Sequence, residues 1–597
     1  MSLDNVELHL VDSVNDAFAL MRWLSTRTGE GRDFISFDTE TTGLTRRDTL
    51  RTAQVGDADV GWTIPWHMWG GVFAEVVNKY EGNFVAHNAP FDVRFLKDAG
   101  VKIPTHRIHD TRPMAHILEP TYSTALKNLC ARFVDPRAAG MQSALDNAIG
   151  SRGGWSWATV PITFEPYWTY AALDPVLTTR LYEQFYPRIK ADGTQDAYDL
   201  ELATLWVIDR MEEYGAHVNR EYAREKMIEF EEYCDKVAKW CKDTYQISPG
   251  SNQAVIQCLQ AEGFDFSKRT KSGAPALDKE VLSSIDHPLA QSVLLRRQLQ
   301  KLASTYLSHF VGEADEDDLL HPSINTLGAR TSRMSMSGPN LQNLPRSSES
   351  NAAAEVVRNC FTTRYHDGLM VFCDFDQIEM RGLAHLCNDQ GMKDAFLSDG
   401  DFFVNLARQV FRDETIIKSD PRRQITKNVG YGKIYGAGIR KLAITAGVTE
   451  EQAAAAMHAF DQSFPLVRQF QNLIQRTALE RKASEGVGYV RSPLTRRRHP
   501  SDDGKEYALV NYLIQGMAAE IFKMKILQCD AAGLGEFMVV PVHDEIALDV
   551  PGEHIHEVAH TLKKVMNDDR LLTVPVTASV SVGKRWGSKT EYDKFIS

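Results

Sequence analysis

The segment FDTETTGL sets Asp38 and Glu40 two residues apart at the end of FISFD, an apolar run that reads as a strand. Strand geometry repeats every second residue, so both carboxylates leave on one side, where together they can hold a divalent ion. Alone the pattern is weak, because a chain with 79 acidic residues contains such triplets by chance and a solvated strand end explains each of them. Two further segments add weight. HNAPFD supplies Asp92, and YAALD supplies Tyr170 and Asp174 one helical turn apart on a shared face. Four acids and a tyrosine suit two-metal hydrolysis, in which carboxylate-held hard cations activate a water and stabilise the departing oxygen. Tyr170 would orient that water.

A second set of acids lies further on. VFCDFDQIEMRGLAHL places Asp374 at the end of another apolar strand, with Asp376 and Glu379 following as the chain turns towards a helix. VVPVHDEIALDV reads as two strands meeting at a tight turn whose tip carries His543, Asp544 and Glu545. Taken separately, each is more often an ordinary strand-end acid. The segment RRQITKNVGYGKIYG joins them, since Arg423, Lys427, Tyr431 and Tyr435 recur every four residues and line one helical stripe. Cations suit the phosphates of a nucleotide, and a ring on the same stripe can pack on its sugar and base. Gly430, Gly432 and Gly436 mimic a dinucleotide-binding loop, but no strand precedes them, and that reading is rejected.

These groups need several domains to position them. At 597 residues the chain exceeds what one hydrophobic core organises, and 43% hydrophobic with 24% charged residues is the composition of a globular enzyme. The alternation begins with a strand over 6–11 and a helix that Ser13 caps, and continues to a helical YWTYAALDPVLTTRLYEQF, predicting an α/β unit that ends between about 188 and 200. Amphipathic helices follow, among them HPLAQSVLLRRQLQKLASTYL with Arg297 and Lys301 on one face. Beyond 320 the texture is mixed. The N-terminus lacks a secretion signal and no run is able to span a bilayer, so a cytoplasmic protein is expected. The scattered cysteines show no zinc spacing and read as reduced core residues. A net charge of −12 argues against a polyanionic partner at first sight, but basic clusters occur at Arg296, Arg297 and Lys301, at Arg422, Arg423 and Lys427, and in Arg491 with Arg496, Arg497 and Arg498.

The first three segments, in order, resemble the DnaQ-like 3′-to-5′ exonucleases with the DEDDy signature. The resemblance implies Asp38, Glu40, Asp92 and Asp174 as metal ligands and Tyr170 as water-positioner, with Leu44, His87, Asn88 and Phe91 near the terminal nucleotides. His87 reads equally as a satisfied core histidine. The later segments resemble motifs A, B and C of the A-family DNA polymerases, and SRMSMSGPNLQNLP, VRNCF, NYLIQGMAAE and VGKRW extend the similarity over essentially the whole chain. The fold implied is multidomain α/β and α+β: an RNase H-like exonuclease domain over 1–190, then a right-hand polymerase with thumb 191–320, palm 321–386 and 499–597, and fingers 387–498. The resemblance implies two Mg²⁺ ions per active site, with Mn²⁺ as a substitute, held in the polymerase by Asp374, Asp544 and the backbone of Phe375. It places Arg423 and Lys427 on the triphosphate, Lys427 as a candidate proton donor, and Gln377, Glu379, Tyr431 and His543 around the nucleotide, with Glu379 as a steric gate against a 2′-hydroxyl. It assigns Arg333, Asn340, Gln342, Asn511, Gln515 and Tyr435, with Arg297, Lys301 and Arg497, to primer-template DNA.

Departures from the family pattern are visible. Phe375 and Asp376 replace the usual Tyr-Ser after the motif A aspartate, Ser332 replaces glycine before Arg333, and Phe403 stands where many members carry histidine. Asp376 is either an outward-facing substitution or a modifier of metal affinity. Arg346 directly follows Pro345, closer than the family's usual arginine. Tyr431, where many bacterial members have phenylalanine, implies tolerance of dideoxynucleotides. Basic faces of helices and the run at 496–498 also read as solvated charge, and Trp155 and Trp157 as packing groups. Few residues precede the exonuclease signature, so no 5′-nuclease domain is expected, an organisation resembling phage replicases. Deoxynucleoside triphosphates and primer-template DNA are the implied partners, and a separately bound helicase or processivity factor stays open. A single-subunit RNA polymerase shares the palm logic, but Glu379 and the proofreading segments argue against it.

Overall fold

A computed structural model of the chain describes residues 3–27, 34–345, 353–398 and 400–596. Arg346 lies outside the described residues. The N-terminal unit is a six-stranded sheet in the order Glu7–Leu10, Val60–Pro65, Leu50–Gly56, Phe34–Thr41, Asn83–Ala86, Ile108–Asp110. Ser13 caps the first helix, Val14–Ser25, through a capping box in which the Asp16 carboxylate accepts from Ser13 N at 2.9 Å.

Phe34–Thr41 is a central strand, antiparallel to Leu50–Gly56 and parallel to Asn83–Ala86, so both of its edges are paired. Ile35 and Phe37 point into the larger apolar cluster with Phe73 and Phe84. The opposite face carries Ser36, Asp38 and Glu40 and looks towards the long helix Glu165–Ala191, where Ser36 Oγ lies 2.6 Å from Thr179 Oγ1. The helix seats closely because Gly61 has no side chain: a Cβ there would lie 1.9 Å from the carbonyl oxygen of Ala172. That seating brings Asp174 over the strand end.

After Asp192, Gly193 and Thr194 the chain enters the helix Gln195–Tyr214, which is buried on two sides. Tyr198 faces the first sheet, its hydroxyl accepting from Asp110 N at 3.1 Å, while Glu201, Val207 and Ile208 face the C-terminal unit. The helices Arg220–Tyr245, Asn252–Ala261 and Pro288–Leu302 form a separate cluster around Val255, Leu259 and Val293.

The C-terminal unit is built on a five-stranded antiparallel sheet in the order Met538–Val542, Glu545–Val550, Leu369–Phe375, Ala578–Gly583, Thr590–Glu591. The register sets Asp374 opposite Glu545 on one side and Ser579 on the other. The buried helix Leu509–Cys529 packs against this sheet, and the helices between Gln390 and Glu485, including Pro421–Ile434, stand to one side around Phe402, Phe460 and Phe464. Among the described residues no helix is long and apolar enough to cross a membrane. All eight cysteines are free, seven of them buried.

Candidate active sites

At the end of the strand Phe34–Thr41, carboxylate oxygens of Asp38, Glu40 and Asp174 lie within 4.8 Å of one another. Asp92 stands beside them in the first turn of the helix Ala89–Asp98, its carboxylate accepting from Thr39 Oγ1 at 2.6 Å. That helix starts from Asn88, held at φ +72° while the buried Asp110 carboxylate accepts from Asn88 N and Ala89 N at 2.9 and 2.8 Å. Burial pushes all four acids up, Glu40 to about 8 and Asp92 to about 7, and mutual repulsion adds to the rise of Asp38 and Glu40. Clustered acids of this kind favour a bound proton or a cation over an empty charged state.

The Lys127 ammonium pairs with Asp174 and lies 4.0 Å from the centre of the Tyr170 ring, whose hydroxyl donates to Gln142 Oε1. No spacing in the sequence singled out Lys127, which comes from the separate helix Leu126–Phe133. Trp157 packs edge-on to Tyr170, and Trp155 edge-on to Phe164, which makes both tryptophans packing groups. His87 has Nδ1 2.8 Å from Thr111 Oγ1 and Nε2 2.8 Å from the carbonyl of Thr124, with burial lowering its pKa to about 4, the arrangement of a satisfied structural histidine. Leu44 is 80% exposed, its carbonyl accepting from Arg94 at 3.4 Å, and Phe91 lies under the Arg94 guanidinium.

The second site is a cleft of about 370 Å³ lined by Arg333, Asp374, Phe375, Gln377, Glu379, Lys427, Tyr431, Lys523, His543 and Asp544. Asp374 ends the strand Leu369–Phe375. Asp544 occupies the two-residue turn between Met538–Val542 and Glu545–Val550, and Phe375 N donates to Asp544 O at 3.4 Å, tying strand end to turn. Burial, reinforced by Glu379, raises the Asp544 carboxyl. The Glu379 carboxylate accepts from the Arg333 guanidinium and from the Tyr435 hydroxyl. Ser332, Gln377 and His543 all hold positive φ, at +65°, +56° and +60°. Non-glycine residues in that region store local strain and gather where function over-determines the backbone. The family's glycine at position 332 thus has a physical reason, which Ser332 overrides.

A family model described as DNA polymerase family A matches residues 217–588, and one described as 3′-5′ exonuclease matches residues 12–190. The chain belongs to DNA polymerase family A. The DNA polymerase of Mycobacterium phage D29 is 27% identical over 93% of this chain and 95% of its own length. DNA polymerase I of Chloroflexus aurantiacus is 30% identical over 84% of this chain and 54% of its own. In fold the chain is similar to the POL domain of Pol1 from M. smegmatis, solved in complex with DNA primer-template and dNTP, with a TM-score of 0.76 at 22% identity over 97% of this chain and 99% of that one.

Within this A-family polymerase and its exonuclease domain, several of the residues singled out from the sequence make contacts within the protein. Arg497 is 1% exposed, its guanidinium donating to Glu201, 3.7 Å from Glu520 and 3.4 Å from His116 Nδ1, so it is a core group and does not reach DNA. Its neighbours Arg498 and Arg491 bond the Asp192 side chain and carbonyl at 2.7 and 3.2 Å, making the basic run a clasp on the inter-domain turn. Arg297 is tied inward, donating to Leu277 O and Asn252 Oδ1, each at 2.6 Å, whereas Lys301 on the same helix face is exposed. Arg423 is held bidentately by Asp401, the N-cap of Phe402–Phe411. Asp376 accepts from Thr577 Oγ1 at 3.1 Å and Ser579 Oγ at 2.9 Å, which clamps the adjoining strand. Asn340 caps a short turn by accepting from Gln342 N at 3.0 Å, and Asn511 and Gln515 are half-buried on Leu509–Cys529. Lys523 was missed because its partner Glu201 lies 322 residues away, and Asp401 because no local periodicity pairs it with Arg423, 22 residues on.

Proposed function

We propose that the chain adds deoxynucleotides to a primer 3′ end in the cleft around Asp374 and Asp544, and removes misincorporated ends at the cluster of Asp38, Glu40, Asp92 and Asp174. The observation that carries this reading is the convergence of the Asp374 strand, the Asp544 turn and the Lys427–Tyr431 helix on one cleft, apart from the first cluster. Both acid sets are hard oxygen donors, with burial raising the pKa of the exonuclease acids and of Asp544 in the cleft, and they fit divalent cations, Mg²⁺ with Mn²⁺ as a substitute. Asp374, Asp544 and the Phe375 backbone would hold them in the cleft. Such ions, when bound, acidify a coordinated hydroxyl or water and neutralise charge on the phosphate.

The protein's own groups supply the rest. Lys427 and, once released from Asp401, Arg423 bind the triphosphate, and Lys427 can pass a proton to the leaving pyrophosphate. Glu379, fixed by Arg333 and Tyr435, fills the space a 2′-hydroxyl would need. Tyr431 packs on the sugar, with Gln377 and His543 beside it, and Tyr170 orients the attacking water in the exonuclease domain. Arg333, Asn340, Gln342, Asn511, Gln515, Tyr435 and Lys301 contact primer-template DNA, with thumb, palm and fingers as assigned from the sequence. Phage genome replication is the favoured role, because the D29 and L5 polymerases match over nearly their whole lengths. Extension of matched and mismatched primers tests the reading. Asp544→Ala loses synthesis and keeps trimming, Asp38→Ala does the reverse, and retained synthesis in Asp544→Ala refutes the assignment.

A further inference from the structure

His116 belongs to the exonuclease domain, on the helix Thr111–Leu118, yet its ring reaches the turn that carries Arg333. Nε2 lies 3.1 Å from the Ala329 carbonyl and Nδ1 3.4 Å from Arg497 Nη1. A carbonyl only accepts and a guanidinium only donates, so Nε2 carries the proton and Nδ1 receives one from Arg497. The ring is 5% exposed, and burial beside Arg497 and Lys523 holds its pKa well below the usual value, keeping it in that neutral form. The turn it grips is closed by Ser332 N on Ala329 O at 2.8 Å and by Ala329 N on Arg333 O at 3.1 Å. A second anchor sits just upstream, where the buried Lys523 donates to Thr326 O at 2.8 Å. Arg333, leaving the turn, donates to Glu379.

We propose that His116 is a positioning residue for the polymerase reaction: by holding the Ala329–Arg333 turn it keeps Arg333 against Glu379 and so keeps sugar selection tight. The inference rests on the reading of Glu379 as the group that excludes a 2′-hydroxyl. An exonuclease-domain side chain thereby sets which sugar the polymerase cleft accepts. A merely structural contact would alter stability and leave that selection alone.

The test is single-nucleotide incorporation of dCTP against CTP by the full-length wild type, His116→Ala, His116→Gln, His116→Asn and Glu379→Ala, with trimming of a single-stranded oligonucleotide as the control. His116→Ala lowers the deoxy-to-ribo ratio of kcat/KM by roughly two- to tenfold, the worth of one hydrogen bond, and trims at the wild-type rate. Glutamine places an amide N–H where Nε2 was and restores most of the ratio. Asparagine, too short to reach Ala329, behaves as alanine does, and the Gln and Asn pair decides the matter if the alanine variant does not fold. Wild-type selection in His116→Ala and His116→Asn, with selection lost in Glu379→Ala, overturns the inference alone. Unchanged selection in Glu379→Ala overturns the gate reading and the inference with it.

Discussion

Replacing Glu201 by glutamine tests the buried charge cluster that joins the two enzymatic units. Glu201, Glu520, Arg497 and Lys523 are all at most 1% exposed, and their two negative and two positive charges cancel. Glu201 takes two of the Lys523 bonds, at 2.7 and 2.8 Å, and one from Arg497. Glutamine keeps the shape but removes one negative charge and turns an amide N–H₂ towards cations that only donate. A buried cation left without its counter-ion costs about 3–5 kcal/mol, read as a fall in the urea midpoint followed by tryptophan fluorescence. Lys523 is the group that yields, since burial already lowers it to about 8 from 10.5, and the loss of Glu201 lowers it further. A lysine whose folded pKa lies below its unfolded value binds fewer protons when folded, so the variant regains stability as pH rises from its folded pKa towards 10.5. Pairing Glu201→Gln with Lys523→Met restores neutrality and recovers about 2 kcal/mol. A deficit below about 1 kcal/mol, or one that grows with pH, refutes the reasoning.

Three further outcomes follow from the geometry. Ser332 is fully buried, sits at φ +65° and leaves its Oγ without a partner, so Ser332→Gly stabilises the fold by about 1 kcal/mol in the same urea assay after the entropy of glycine is counted. Tyr431→Phe removes the hydroxyl beside the sugar and lowers dideoxy relative to deoxy incorporation by roughly tenfold; an unchanged ratio in a competition assay removes the Tyr431 role. Glu40 and Asp92, with folded pKa values of about 8 and about 7, bind more protons folded than unfolded, so metal-free protein loses stability as pH rises from about 4 to 8. Melting curves with EDTA show that decline, and Mg²⁺ removes it.

Local chemistry was legible and long-range pairing was not. The alternation around Asp38 and Glu40, the helical turn between Tyr170 and Asp174, and the Ser13 cap depend on neighbours within a few residues, and the structure has each. The union of Asp374 with Asp544 depends on a strand register that spacing cannot supply, and only the family resemblance anticipated it. Arg497 failed for the same reason. A run of three arginines reads as surface, because charges are rarely buried without partners, and its partner Glu201 lies 296 residues away. His87 stayed ambiguous because either reading places it after a strand, and only the bonds to Thr111 and Thr124 separate them.

The helix Gln195–Tyr214 falls between the two matched segments, which end at 190 and resume at 217. It nevertheless lends Tyr198 to one unit and Glu201 to the other. A scissor cut at either match boundary would hand one fragment an orphaned ammonium or a hole where a tyrosine had been. Editing and synthesis in this chain share a keystone, and neither half can be lifted out clean.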